Sequence, residues 1–89
     1  MGVYACRCII DGRSYSAVTN IGTRPTVAGI GITVESWVLD YDGDLYDREI
    51  RLEFHRFLRP EIRFENLSAL QQAVMSDAEL TRELLKNTL

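Results

Sequence analysis

Residues 3–10 are rich in β-branched and small apolar side chains and run into Asp11-Gly12. Asp-Gly is a short-range hairpin signal, because a type I′ turn needs positive φ at both central residues. The chain resumes at Arg13, and Tyr15, Ala17, Thr19 and Ile21 share one face of a second strand, predicted over 13–21. Its glycines and Pro25 mark 22–29 as a loop. A third strand is predicted over 30–39, then an acidic turn, Asp40-Tyr41-Asp42-Gly43-Asp44. The fourth strand, 48–57, has the clearest pattern: Ile50, Leu52 and Phe54 alternate with Glu49, Arg51, Glu53 and His55. Leu58-Arg59-Pro60 should end it, since proline cannot donate to a ladder. The period then changes. Leu67, Leu70, Gln71, Val74, Ala78, Thr81 and Leu85 recur at three- and four-residue steps, which predicts an amphipathic helix over 66–86. Glu65, Asn66 or Ser68 could cap it, and Ser76-Asp77 is a candidate break.

Strands followed by one helix predict a mainly β domain, an antiparallel sheet with a C-terminal α-helix on one face. Such a sheet leaves two edges, and one helix cannot cover both. The chain also enters strand-like sequence directly after Met1. We therefore expect a piece of a larger unit, or two chains that pair along the exposed sheet edges.

Composition narrows the function classes. The 89 residues are 46% hydrophobic and 26% charged, with a net charge of −3. That suits one folded domain rather than disorder. No apolar run approaches the ~20 residues of a membrane-spanning helix, and no secretory leader is recognisable. With 10 basic against 13 acidic residues, nucleic acid is a poor partner, whether a duplex or a single strand in an OB-like groove.

Candidate chemistry is sparse. Cys6 and Cys8 share a strand face, which fits a buried thiol pair in a cytoplasmic protein better than half a zinc site. His55 could be a general base or a surface residue among Glu53 and Arg51. The acidic turn lacks the remaining features of a calcium loop and reads as a hydrated turn. Glu35 stands out because alternation puts it on the face of Trp37 and Leu39. Partial desolvation there would raise its pKa toward the range of a general base; a salt bridge to one of the arginines is the other reading. The segment Asn20-Ile21-Gly22-Thr23-Arg24-Pro25-Thr26-Val27 suits a ligand loop or an ordinary connection.

Read together, these segments resemble the riboflavin kinase module, as found in the C-terminal part of bacterial bifunctional riboflavin kinase/FAD synthetases. The resemblance rests on Gly2-Val3-Tyr4-Ala5, on Asn20 to Val27, on Thr33-Val34-Glu35, on Leu39 to Tyr46, and on Leu58-Arg59-Pro60-Glu61 running to Phe64. It covers essentially the whole chain, in the family's order and spacing.

The resemblance implies a Greek-key-type antiparallel barrel with a C-terminal helix, incomplete in this chain. It implies transfer of the γ-phosphoryl group of Mg2+-ATP to the 5′-hydroxyl of riboflavin, giving FMN. Glu35 would be the catalytic base, Arg59 and Glu61 flavin contacts, and Asn20, Asp44 and Tyr46 residues of the nucleotide side and its flap. An FMN adenylyltransferase domain would precede this one in the parent chain. The family's Pro-Thr-Ala-Asn motif, which holds magnesium and phosphates, is absent: Pro25-Thr26 is followed by Val27-Ala28. The Mg2+ ligands are accordingly expected upstream, and the 89 residues alone are expected to have little or no kinase activity. Asp47 departs from the glycine usual after Leu-Tyr. A non-catalytic flavin-binding β-barrel module is the alternative.

Overall fold

Alternation and the change of period emerge as four strands and one helix: β1 (Gly2–Ile10), β2 (Arg13–Thr26), β3 (Gly29–Val38), β4 (Arg51–Arg59) and α1 (Leu67–Leu85). The source is a computed structural model, which describes residues 1–45 and 48–86. The strands form one sheet in the order β3-β2-β1-β4, with every neighbouring pair antiparallel. The sheet is open among the described residues, so β3 and β4 are its edges. Asp11 and Gly12 have φ of 51° and 78°, the positive pair required to turn β1 directly into β2.

Two boundaries differ from expectation. β2 does not stop at residue 21; residues 22–26 continue it and pair with β3, from Gly22↔Thr33 to Thr26↔Gly29. Pro25 is tolerated because this part of β2 runs past the end of β1, leaving β3 as its one neighbour. β4 covers Arg51–Arg59 rather than 48–57 and ends at Pro60 as expected.

The register of β4 against β1 slips between Val3 and Tyr4 and again between Ala5 and Cys6. Each slip is a bulge, an extra residue that reverses the alternation after it. Phe54 therefore lies opposite Cys6 and Phe57 opposite Tyr4, on one face despite their odd spacing. Tyr4 meets both rings edge-on, at centroid distances of 5.4 and 5.3 Å.

Each face of the sheet has its own core. On one, Val3, Val18 and Leu39 pack with Ala78 of α1. On the other, Cys6, Cys8, Ile10 and Ala17 pack with Tyr15 and Tyr41 among others. The two cysteines are free and buried. Burial pushes both thiol pKa values above the ordinary 9.0, and at Cys8 the neighbouring Cys6 adds to the rise.

α1 is capped by Asn66, whose Oδ1 accepts from the Ala69 amide at 2.9 Å. It continues unbroken through Ser76-Asp77. The reason lies in tertiary structure: the Asp77 carboxylate is taken up by Arg59 of β4 and does not compete for the helix backbone. A second tie, from Arg82 to Asp40 at 3.1 and 3.2 Å, fastens the last turn of α1 to the segment after β3.

Candidate functional site

Laterally paired residues in a sheet point to the same face. Glu35 pairs with Asn20, Asn20 with Val3, and Val3 with Arg59. These four make one row across all four strands, on the face that α1 covers. At roughly 4.8 Å per strand step, the row is about 14 Å long. A cleft of about 370 Å³ separates it from the N-terminal half of α1 and the segment before it. Its apolar lining is Val18, Trp37, Ile62, Phe64, Leu70 and Val74; its polar lining includes Asn20, Glu35, Arg59, Glu61 and Asp77.

The polar groups occupy distinct environments. Glu35 points into the cleft from an edge strand and keeps 70% of its side chain exposed, so the desolvation expected for it is absent. It also lies 3.9 Å from Arg24, itself exposed, a pairing that contributes little to stability. Asn20 has its Oδ1 buried with no hydrogen-bond partner. The Glu61 carboxylate rests directly on Gly22: a β-carbon there would lie 3.1 Å from Glu61 Cδ and overlap the outer oxygen. Gly22 thus provides the space that lets Glu61 fold back against β2.

Arg59 is held by Asp77. Its Nε donates to the two carboxylate oxygens at 3.1 and 3.2 Å, and Nη2 donates to Oδ2 at 2.8 Å. The guanidinium carbon lies 5.5 Å from the centre of the Phe64 ring.

Four residues singled out from sequence, Asn20, Glu35, Arg59 and Glu61, meet at one cleft. Asp44 is exposed and outside it. Tyr46 and Asp47 lie outside the described residues. His55 is also elsewhere, beside a bulge of β4 and 3.9 Å from Glu53. Sequence reasoning missed Asp77. The available signal was a carboxylate beside the Val74–Ala78–Thr81 stripe, which was read as a helix break. Among the described residues, no three His, Cys, Asp or Glu side chains form a group able to hold a metal ion. Nor is any described helix long and apolar enough to cross a membrane.

Comparison with known proteins identifies a family. A family model described as Flavokinase, riboflavin kinase, matches residues 1–85. A bifunctional riboflavin kinase/FMN adenylyltransferase of Pseudomonas fluorescens is 49% identical over 84 residues, covering 93% of this chain and 27% of that protein. The protein of the same description from Escherichia coli K12 is 40% identical over 83 residues, covering 92% and 26%. The chain thus spans about a quarter of the length of these curated relatives. Among solved structures, a macrolide-efflux protein from Streptococcus pneumoniae superposes with a TM-score of 0.85 at 25% identity, over 91% of this chain and 27% of that one.

Proposed function

The chain belongs to the riboflavin kinase family, and from that premise we propose that its cleft binds riboflavin and presents the 5′-hydroxyl to Glu35. The observation carrying this reading is the transverse row. It aligns Glu35, Asn20 and Arg59 on a cleft whose remaining lining is mostly aromatic and aliphatic side chains. An elongated ligand with a flat apolar ring and a polyol chain suits such a site, which lies in the volume range of small-molecule pockets.

In the reaction, Glu35 accepts the proton of the 5′-hydroxyl as that oxygen attacks the γ-phosphorus of ATP. The bond to the β,γ-bridging oxygen breaks, and FMN and ADP are the products. Asn20 offers its amide to the ligand's hydroxyls, and Glu61 borders the flavin. Asn20 thereby moves from the nucleotide side, where the resemblance put it, to the flavin side. Asp44 and Tyr46 keep their proposed place in the nucleotide flap. The donor is proposed to be the Mg2+ complex of ATP. Its metal and phosphate ligands would be those of the family's Pro-Thr-Ala-Asn motif, which the resemblance implies for the parent protein and which these 89 residues lack. An FMN adenylyltransferase domain, an activity that the relatives' names carry, is proposed to stand N-terminal to it and would consume the FMN. The protein would act in the cytoplasm, and pairing of exposed sheet edges could join two copies.

Trp37, the chain's one tryptophan, lines the cleft and reports on occupancy. Titration with riboflavin should quench its fluorescence. In the full-length protein, Glu35→Gln should lower FMN formation about 10²–10⁴-fold and leave riboflavin affinity unchanged; undiminished turnover would remove Glu35 as the base. Flavin binding without any FMN formation by the full-length protein, and indifferent to Mg2+-ATP, would instead favour the non-catalytic module.

A further inference from the structure

We propose that Asp77 is a positioning residue for the ring end of the flavin, acting through Arg59; the proposal rests on the reading of the cleft as a flavin site. Asp77 lies on the buried side of α1 with 9% of its side chain exposed. A carboxylate there is costly unless paired, and it is paired with Nε and Nη2 of Arg59. Such a fork fixes the plane of the guanidinium as well as its position. It leaves Nη1, which donates only a long 3.4 Å bond to the Pro60 carbonyl, as the nitrogen able to exchange that partner for a ligand acceptor. The same plane lies over Phe64, a wall of the cleft. If the pair served only to fasten α1 to β4, two apolar side chains would do as well or better.

Orientation follows from the row. Glu35 stands at its β3 end and Arg59 three strands away at its β4 end. With the 5′-hydroxyl at Glu35, the far end of the ligand is its ring system. That end lies beside Phe64, a wall of the cleft whose ring centre is 5.5 Å from the Arg59 guanidinium carbon. Nη1 would then donate to a ring carbonyl oxygen. Asp77 sets that donor's direction without touching the flavin.

The test compares riboflavin with lumiflavin, which keeps the ring and lacks the hydroxylated chain, both read by Trp37 quenching. Asp77→Asn should weaken both about tenfold, with the helical circular dichroism signal retained. Asp77→Asn leaves a half-buried guanidinium without its charged partner, which puts folding at risk. A double variant, Arg59→Met with Asp77→Leu, removes both charges and preserves packing; it too should lose both flavins about tenfold while folding normally. Wild-type affinity in the folded double variant would reduce the pair to a structural clasp. A loss confined to riboflavin would overturn the orientation, since Arg59 would then serve the chain end. A wild-type protein that binds neither flavin would overturn the reading of the cleft itself, and this proposal with it.

Discussion

Gly2 shows how one residue limits what a strand can carry. It has a φ of 151°, and a β-carbon there would lie 2.7 Å from the Arg59 carbonyl oxygen and 2.6 Å from the Phe57 ring. The obstacle is backbone on the neighbouring strand, which cannot swing aside. Gly2→Ala should destabilise the chain by about 1–3 kcal/mol, seen as a lower urea midpoint with unchanged slope. Gly22→Ala should behave differently, because what it meets is the end of the Glu61 side chain. Stability should change little, whereas riboflavin affinity should fall as Glu61 is displaced. Cys6 and Cys8 add a pH dependence. Burial raises both thiol pKa values above 9.0, so the native chain holds these protons more tightly than the unfolded one. The stability this provides is complete below about pH 9 and is lost as the pH rises beyond it. Thermal melts between pH 7 and 10.5 should show the decline, and Cys6→Ala/Cys8→Ala should flatten it.

At the scale of elements, legibility depended on whether an element answered to its own residues. The β1–β2 turn was readable because Asp11-Gly12 meets the φ requirement locally. The start of α1 was readable to within its candidate caps, of which Asn66 is the one used. Asn66→Ala should cost about 1 kcal/mol in stability, measured by chemical denaturation. The Arg82–Asp40 tie is exposed on both sides; Arg82→Ala should cost only about 0.2–1 kcal/mol by the same measurement. The extension of β2 was not readable. Gly22 and Pro25 are loop formers on their own, and become strand residues because β3 supplies the missing partner. The bulges of β4 were hidden for the same reason. They exist only relative to β1, yet they decide that Phe54 and Phe57 share a face.

For the whole molecule, the dominant fact is how much apolar surface the open sheet leaves in water. Ile30, Ile32 and Val34 on β3 and Phe54 and Phe57 on β4 are all exposed; Ile32, for example, is 68% accessible. All five lie on the face opposite α1. A flat apolar edge of this kind is prone to pair with other chains. Sedimentation of the 89-residue chain should show concentration-dependent association. Ile32→Lys should reduce that association without lowering the unfolding midpoint, since the side chain is already in solvent.

From the sequence by itself came the strand and helix types, the Asp-Gly turn, the family and four of the residues at the cleft. Each is encoded either in local periodicity and turn chemistry or in short segments whose order is specific. Only the tertiary structure decided that Glu35, Asn20, Val3 and Arg59 form a single row, that Glu61 seats on Gly22, and that Asp77 lines the cleft and pairs with Arg59. Register joins residues far apart in the chain, Val3 and Arg59 among them, through backbone hydrogen bonds that carry no side-chain signature. A buried carboxylate on a helix acquires its meaning only when the partner strand brings an arginine within 2.8 Å.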